Sequence, residues 1–472
     1  MNPPSPAADT DGRVLSLVRR HGWNATSFQV LQPGFHYFFD GDGDANVDAG
    51  CVAYVDTGRA WVAAGAPLCA PHRLGAVAER FVAAARAAGR RPCFFGTEAR
   101  FGEASATTGG PPLRSLLIGE QAVWDPAGWE QTVATTASLR EQLRRGRAKG
   151  VRVRATSAAE LADPTSPVHA PARALVARWL RTRELAPMGF LVDVDPLNMR
   201  DDHRLYLAEA GGRLVGLLAA SPIFARRGWL LQALVRAPDA PNGTAELLVD
   251  EAMRAAAAGD DALVTLGLAP LAGQVAWPLR AARSAGATLY NFEGLRAFRA
   301  KLRPSRWDPV YLVFPASQGI ATTVTDVLAA FARGRLLRFG LETLLRGPAV
   351  VVRLLALALV PWTVALALAP AARWFPSPAL KWGWVAFDVL LVVALLSLAR
   401  RWRAPLARLV TAAVGFDAVV TAAQAAVWNA PRIASAGAAV VTLAAVLAPA
   451  LAFVVLWRAR RRRLDAGGSG AG

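Results

Sequence analysis

The chain has 472 residues, 54% of them hydrophobic, and its 53 basic and 35 acidic side chains give a net charge of +18. The length allows two or three domains. The basic excess is almost entirely arginine and largely flanks apolar segments, which points to anionic lipid headgroups before nucleic acid. The three cysteines have no paired spacing, which excludes a disulfide framework and predicts free thiols in a core.

The first part of the chain is predicted to hold a tail and an α/β unit. Residues 1–23 form the tail and lack the apolar stretch of a signal peptide, and residues 24–130 form the unit. Within this unit, CVAYVDTGRAWVAAG indicates two strands around a Thr-Gly turn and LGAVAERFVAAARAAG indicates a helix that stops at glycine. RPCFFGTE and LRSLLIG indicate further strands.

A second unit is predicted over residues 131–315. It begins with the basic helix SLREQLRRGRAKG and the strand VRVRA, and continues with a helix near 170–183 and the hairpin RLYLAEAGGRLVGLLAAS. It ends with the strands GWLLQALVR and ALVTLGLAP on either side of a helix. Two mixed units in series indicate an α/β (α+β) fold class and a duplicated fold.

The connection VRAPDAPNGTAELLVDEAM, residues 235–253, ends a strand and begins a helix almost at once. Free backbone N–H groups at the positive end of a helix dipole bind phosphate and other anions. An ordinary strand-to-helix connection explains the Gly and Asn of this stretch equally well. The turn is therefore a candidate anion site of the second unit.

Apolar segments of about 20 residues dominate the last part of the chain. A basic juxtamembrane segment over residues 316–346 precedes four predicted transmembrane helices within residues 347–458, and a basic then glycine-rich tail covers 459–472. Arginines cluster before the first helix, between the second and third, and after the fourth. The positive-inside rule therefore predicts a multi-pass protein of the cell membrane with its N-terminal part and its C-terminus in the cytoplasm.

Several separated motifs, in the right order, resemble one known family. AAGAPL, APNGTAELLVDEAM, TLGLAPLAG and YNFEGLRAFRAKLRPSRWDPVYLVF look like the C-terminal domain of lysylphosphatidylglycerol synthases (DUF2156). The resemblance implies two GNAT-like units in tandem and transfer of an amino acid from aminoacyl-tRNA to the headgroup of phosphatidylglycerol. In the best-known members the membrane region precedes this domain, whereas here it follows, so no lipid-translocating role is carried over.

The resemblance places the catalytic residues at the end of the strand GWLLQALVR. The family has an acidic residue three positions before an arginine, and here Arg236 matches the arginine while Ala233 stands in place of the acid. Glu246, in the first turn of the following helix, is near enough in sequence to supply the acid, and compensation of the helix dipole is its other explanation. Arg236 is predicted to hold a phosphate or the terminal adenosine of tRNA, and a salt bridge at the rim is the alternative.

Substrate-binding residues are predicted in two further places. The turn contributes Asn242, Gly243 and Thr244. The family signature contributes a basic and aromatic cluster that would shape the lipid-headgroup side of the site, made of Asn291, Arg296, Arg299, Lys301, Trp307 and Tyr311. A solvated basic helix is the alternative explanation of this cluster.

A separate basic cluster lies in the helix before VRVRA. It consists of Arg140, Arg144, Arg145, Arg147 and Lys149. Three of its arginines share one helical face, which suits the phosphate backbone of tRNA and an anionic lipid surface equally. Aromatic residues for base stacking are not interleaved with them, so sequence-specific readout is not indicated.

No metal and no cofactor is predicted. DGDGDANVDAGC has Ala45 and Cys51 where an EF-hand loop needs Gly and Glu, and the five histidines share no ligand spacing. Two alternatives to aminoacyl transfer stay open, and Ala233 supports both of them. One is an acyl-CoA-dependent GNAT-type acyltransferase, and the other is a catalytically degenerate module tethered to the membrane. No motif specifies the amino acid, the lipid or the oligomeric state.

Overall fold

The structure, a computed structural model, describes residues 6–41, 50–106, 112–181, 189–191, 195, 199–273, 292–335, 338–339, 348–370, 374–400, 402–433 and 435–467. Contacts within the chain divide it into two compact units. The first, which we call the sheet unit, comprises residues 1–182 and 187–336. The second, the helical unit, comprises residues 183–186 and 337–472.

The sheet unit is a mixture of strands and helices. Its strands are β1 (His36–Asp40), β2 (Gly50–Asp56), β3 (Ala60–Ala64), β4 (Arg91–Thr97), β5 (Leu113–Trp124), β6 (Arg152–Thr156), β7 (Arg204–Ala210), β8 (Arg213–Ile223), β9 (Gly228–Arg236), β10 (Leu263–Pro270) and β11 (Arg306–Pro315). Its helices are α1 (Pro6–His21), α2 (Leu74–Ala87), α3 (Ala99–Ala106), α4 (Trp129–Thr135), α5 (Ala137–Ala148), α6 (Ala158–Ala162), α7 (His169–Arg181), α8 (Thr244–Ala258), α9 (Phe292–Lys301) and α10 (Ile320–Phe331).

All of these strands form one sheet in the order β1-β2-β3-β4-β11-β5-β10-β9-β8-β7-β6. Each half repeats one plan, in which antiparallel strands lead to a strand, a helix and a parallel strand, followed by a helix and a last strand. The strand-helix-strand parts are β3-α2-β4 and β9-α8-β10. This repeat confirms the predicted α/β class and the tandem GNAT-like units.

The two halves exchange their last strands. β5 belongs to the first half but pairs with β10 of the second, and β11 of the second half pairs with β4 of the first. The exchanged strands also pair with each other along most of their length. The sheet is therefore continuous across the boundary predicted at residues 130 and 131.

The core of the second half shows how the local sequence is used. The hairpin between β7 and β8 turns at Gly211 and Gly212, whose φ angles of +56° and +70° suit the twist of a two-residue hairpin. The strands on both sides place Leu207 and Leu217 fully inside the core. Burial of each leucine stabilises the fold by about 1.5–3 kcal/mol.

Two segments that the sequence analysis placed outside the α/β units belong to the sheet unit. The predicted tail contains α1, and its Val14, Leu17 and Val18 are buried in the core of the first half. The predicted juxtamembrane segment contains α10, where Asp326 accepts two hydrogen bonds from Arg91 of β4 at 2.8 and 2.7 Å. Both helices therefore stabilise the first half.

The helical unit contains α11 (Pro348–Leu368), α12 (Pro378–Arg400), α13 (Ala404–Gln424) and α14 (Ala436–Gly467). α13 continues through a π-helical turn, Ala425–Asn429. Among the described residues, three stretches are long and apolar enough to cross a membrane, namely Pro378–Ala399, Ala404–Arg432 and Ala436–Arg460, whereas the apolar stretch Val352–Leu368 of α11 is shorter. All four predicted apolar helices are observed, and three of them meet the requirements of a span.

Candidate functional site

In the first half, Asn24 bridges the parallel strands β3 and β4 at the point where they separate. The two strands pair as far as Ala64 and Phe95. Just beyond, Asn24 Nδ2 donates to Gly96 O at 3.4 Å, and Asn24 Oδ1 accepts from the Ala66 N–H at 3.3 Å. Asn24 is itself 3% exposed. Its amide thus fills the gap between the strands.

In the second half, the equivalent strands β9 and β10 part earlier. Their pairing ends at Leu230 and Thr265, after which β9 stays with β8 and β10 stays with β5. Both strands are irregular here, because Gln232 is an extra residue of β9 and because Leu266 and Gly267 interrupt the register of β10. Bulges of this kind re-aim side chains and are over-represented next to active sites. We therefore take the C-terminal ends of β9 and β10 as the candidate site.

The turn after β9 is covered by helix α5. Gly243 precedes α8 with a φ of +99°, and a Cβ at Gly243 would come within 2.6 Å of Gln142 O on α5. A Cβ on Gly146 of α5 would lie 3.3 Å from Gly243 O. Gly243 is buried in this contact and Thr244 is buried beside Gly216 of β8, whereas Asn242 is exposed. Of the three turn residues predicted to bind substrate, Asn242 is thus the one at the surface.

Two backbone N–H groups at the start of α8 remain available to bind an anion. In the described part of the chain, no acceptor is found for the N–H groups of Ala245 and Glu246. Arg236, at the end of β9, is exposed. These groups are the described donors that an anion at this turn could use.

Position 233, where the sequence analysis expected the acid of the family, is part of the hydrophobic core. Ala233 is 4% exposed and packs in the core of the second half, together with Leu231 and Val235 of the same strand. A carboxylate at position 233 would therefore be buried among apolar groups, at a considerable cost in free energy. Glu246 is half-buried in the first turn of α8, as the sequence analysis expected.

A carboxylate that the sequence analysis missed reaches this edge of the sheet from β5. Glu120 is in register with Ala269 of β10, and its Oε2 lies 3.7 Å from Arg296 Nη2. The Arg296 guanidinium lies over the Trp307 ring at 4.8 Å. A Cβ on Gly273, just after β10, would collide with the Glu120 carboxylate. The signal in the sequence was a glutamate within the largely apolar strand LRSLLIGEQAVW.

The other members of the predicted basic and aromatic cluster are dispersed. Arg299 is 6% exposed, and its guanidinium donates to the two carbonyl groups of the β10 bulge at 2.8 and 2.6 Å. Lys301 is exposed, whereas Tyr311 packs against the aromatic core of the first half. Asn291 lies outside the described residues. The structure therefore brings Arg296 and Trp307 together and gives Arg299 the contacts of a scaffold.

A buried ion pair occupies the opposite face of the central strands. Arg226 Nη1 lies 3.0 Å from Glu98 Oε2, and Trp23 Nε1 and Gln121 Nε2 donate to the same carboxylate at 3.3 and 3.1 Å. Asp308 on β11 is 3.7 Å from Arg226. Burial raises the pKa of Glu98, and the charge of Arg226 opposes that shift. Because the carboxylate accepts from three side chains, its contacts favour a structural role that connects both halves.

The basic helix α5 is fixed to α8 by one of its arginines. Arg147 Nη2 lies 2.8 Å from Oδ2 of the buried Asp250, which also accepts from Trp129 Nε1 at 2.9 Å. Two further arginines of α5 pair with Glu141 at 2.7 Å. The basic side chains that stay exposed away from Asp250 are Arg140, Arg144 and Arg145 of α5 and Lys149 directly after it.

The described cysteines are unsuited to covalent catalysis. Burial raises the pKa of the Cys51 and Cys69 thiols to about 12, and Cys93 is buried as well. A thiolate is the reactive form of cysteine, so these groups are inert near neutral pH. Among the described residues, no group of three His, Cys, Asp or Glu side chains is placed to hold a metal ion.

The fold defines a class of protein, an α/β domain built from two fused GNAT-like halves and followed by apolar helices. A family model described as the C-terminal domain of phosphatidylglycerol lysyltransferase matches residues 15–314. The chain belongs to this family, which confirms the resemblance found in the sequence. Its family and its apolar helices indicate a membrane protein.

Individual relatives agree with this assignment. The chain is 29% identical over 194 residues to the lysylphosphatidylglycerol biosynthesis bifunctional protein LysX of Mycolicibacterium gilvum (strain PYR-GCK), a match over 40% of this chain and 17% of that protein. It is similar in structure to the C-terminal domain (DUF2156) of a putative lysylphosphatidylglycerol synthetase from Agrobacterium fabrum, with 23% identity, a TM-score of 0.58, and coverage of 69% of this chain and 98% of that one. L-PGS from Bacillus licheniformis gives 20% identity, a TM-score of 0.57, and coverage of 70% and 97%. The two structures support the fold.

Proposed function

We propose that this chain is a membrane-bound aminoacyltransferase that moves an amino acid from aminoacyl-tRNA to the headgroup of phosphatidylglycerol or a related anionic lipid. The observation that carries the proposal is the family match, because residues 15–314 include both halves of the sheet. The parting of β9 and β10 in the second half supports the location of the site.

The reaction needs no covalent intermediate on the protein. A hydroxyl oxygen of the lipid headgroup attacks the carbonyl carbon of the aminoacyl ester, and the bond from that carbon to the ribose oxygen of tRNA breaks. The proton of the attacking hydroxyl ends on the departing ribose oxygen. A positioned carboxylate that relays this proton, and cations that hold the two anionic substrates, are what the protein must supply.

We assign the cations to the two sides of the strand separation. Arg236 and the free N–H groups at the start of α8 are suited to a phosphate, since they form a positive end of a helix at the surface. Arg296, with Trp307 beside it and Lys301 at the end of the same helix, is suited to the lipid headgroup. Asn242, Gly243, Thr244 and Arg299 then shape and support the site.

Two carboxylates compete for the role of the missing acid. Glu246 lies in the first turn of α8, beside the proposed phosphate site. Glu120 lies beside Arg296, on the strand next to β10. We propose Glu120 as the proton relay, because Glu246 at a helix N-terminus is also explained by the helix dipole. Activity that survives in Glu120→Gln but is lost in Glu246→Gln would reverse this assignment.

We propose that both termini and the sheet unit face the cytoplasm, where aminoacyl-tRNA is available. The support is the distribution of arginine around the apolar helices. The exposed arginines of α5 would contribute a non-specific attraction to tRNA or to the anionic leaflet.

The test is lipid analysis of cells that express the full chain and are fed labelled amino acids one at a time. We expect one labelled phospholipid, and a decrease of about ten- to a hundredfold in its amount in Arg236→Ala, the effect of losing one hydrogen bond from a charged group. Arg152→Ala, an exposed arginine on β6, is the matched control and should leave the product unchanged.

Other outcomes separate the alternatives. Binding of labelled coenzyme A by the purified chain, without a labelled lipid in the cells, would identify an acyl-CoA-dependent transferase. A well-folded chain that gives neither signal would identify a degenerate binding module. Equal product from Arg236→Ala and the unaltered chain would remove Arg236 from the site.

A further inference from the structure

The helical unit contains a partly open cavity of about 360 Å³ lined by residues of all four helices. Most of its wall is apolar, from side chains such as Leu359, Leu391 and Leu395. Two carboxylates, Asp388 of α12 and Asp417 of α13, also line it. A carboxylate in an apolar surrounding is costly unless a cation or several hydrogen-bond donors compensate it.

Neither carboxylate is compensated within the described part of the helical unit. Asp388 is 4% exposed, and its one hydrogen bond among the described residues comes from the Thr363 hydroxyl at 3.4 Å. Asp417 accepts from the Thr421 hydroxyl at 2.8 Å. The described residues that line the cavity include no lysine and no arginine. Lys381, a buried cation of α12, donates to backbone carbonyl groups of Ala367 and Ala369 instead.

Gln424, another polar residue of the lining, is held by two hydrogen bonds. Gln424 accepts from Trp384 Nε1 at 3.3 Å and donates to Trp374 O at 3.1 Å. Both tryptophans and Trp362 line the cavity, so aromatic rings lie in the same wall as the carboxylates. Carboxylates combined with the faces of aromatic rings are the groups by which proteins recognise an organic ammonium.

The helices that surround the cavity are irregular next to it. α13 changes to π-helical hydrogen bonding at Ala425, immediately after Gln424, and α14 contains an internal proline, Pro449. Ala425 and Pro449 both line the cavity. A π-turn and an internal proline in apolar helices are found where a cavity or a ligand requires the backbone to deviate.

We propose that this cavity binds the ammonium group of an aminoacylated lipid headgroup, with Asp388 and Asp417 as its counter-ions. The occupant rests on the proposed function, because aminoacyl transfer to a phospholipid yields a lipid that carries an ammonium group. The apolar part of the wall is suited to the lipid portions next to that headgroup. Charge complementarity is the basis of the choice, since two carboxylates face the cavity and the described lining supplies no cation.

The first test is a calorimetric titration of the full chain in a neutral detergent with hexylammonium, and with hexanol as the uncharged probe of the same length. We expect hexylammonium to bind and hexanol to bind at least about tenfold more weakly, as loss of a charged hydrogen bond requires. Equal binding of the two probes would overturn the proposal, and so would full displacement of hexylammonium by millimolar sodium ions, which would indicate an inorganic cation site.

The variants are Asp388→Asn and Asp417→Asn, with Thr442→Val as the matched control. Thr442 lines the same cavity, but its hydroxyl donates within its own helix, to Ala438 O at 2.9 Å. Each asparagine variant should bind hexylammonium about tenfold more weakly, while the control binds as the unaltered chain does. Unchanged affinity in both asparagine variants, with their thermal unfolding intact, would overturn the proposal.

A second measurement separates this site from the transferase activity. The aminoacylated lipid that co-purifies with the chain should decrease about tenfold in Asp388→Asn, while the amount of that lipid in the cells stays the same. Cells without any aminoacylated lipid, combined with carboxylate-dependent binding of hexylammonium, would reject the proposed function and retain an ammonium site. Equal co-purification from all variants would reject the lipid as the occupant.

Discussion

At the scale of single residues, Glu98 is the carboxyl group whose environment makes a pH effect measurable. Burial raises the pKa of Glu98 above the ordinary 4.5, despite the adjacent Arg226. A carboxyl group with a raised pKa in the folded state stabilises the fold fully below its unfolded pKa, and this contribution is lost as the pH rises through the folded pKa. The contribution of Glu98 to the free energy of unfolding is therefore lost as the pH rises above about 4.5.

We expect Glu98→Gln to remove this pH dependence. The free energy of unfolding of the full chain, measured in a neutral detergent, should fall less from pH 4.5 to pH 7 in Glu98→Gln than in the unaltered chain. Glu79→Gln, at an exposed position of α2, controls for the loss of one negative charge. Parallel curves for Glu98→Gln and the unaltered chain would show that the buried ion pair does not titrate in this range.

At the scale of elements, the contact between α5 and α8 depends on two glycines that face each other, Gly146 of α5 and Gly243 before α8. Gly243 has a φ of +99° and no room for a Cβ, because Gln142 O of α5 lies in its place. Gly34 has the same φ of +99° and nothing within 4 Å of an added Cβ. An alanine would therefore have the same backbone strain at Gly34 and at Gly243, but only at Gly243 would it also collide with α5.

We expect Gly34→Ala to lower the free energy of unfolding by about 1 kcal/mol, the cost of a positive φ for alanine. Gly243→Ala should lower it by about 2–4 kcal/mol, because overpacking against α5 is added to that strain. Denaturation of the full chain in detergent measures both values. A similar loss in the two variants would mean that α5 moves aside without cost.

Much of this architecture follows from local patterns in the sequence. The Gly-Gly hairpin, the helices that stop at glycine and the alternation of strands with helices are set by residues close to one another in the chain. The exchange of β5 and β11 does not follow from local patterns, because it depends on pairing between strands that are distant in sequence. α1 was not predicted although Val14, Leu17 and Val18 have helical spacing, because the polar residues before them are typical of a tail.

The candidate site shows the same limit. The family motif predicts an acidic residue at position 233. The sequence does not predict which strand pairs with β10. Glu120 comes close to Arg296 only because β5 has left its own half. The burial of Gly243 likewise depends on α5, which the sequence presents as a basic surface helix.

At the scale of the whole molecule, the net charge of +18 predicts attraction to polyanions that weakens with salt. We expect the double variant Arg140→Ala/Arg144→Ala to bind tRNA more weakly, and the salt dependence of its binding to decrease by about one to two ions. Both arginines are exposed on α5. Titration of the full chain with tRNA at several salt concentrations measures the slope.

The matched control is Arg59→Ala/Arg152→Ala, which removes the same charge from two exposed positions in strands or turns far from α5 in sequence. An equal decrease in both double variants would indicate that net charge alone governs binding. A decrease for vesicles of phosphatidylglycerol but not for tRNA would assign the exposed face of α5 to the membrane surface.

The exchange of strands also has a consequence for the order in which the protein is made. β4 obtains its neighbour β11 only after the ribosome has added the residues up to Pro315, roughly 10 to 40 seconds later at ordinary rates of synthesis. During that time the nascent first half has an open strand edge that cannot be satisfied locally, and such edges invite pairing with other chains. The sheet of the first half therefore cannot be completed before the last strand of the second half has been synthesised.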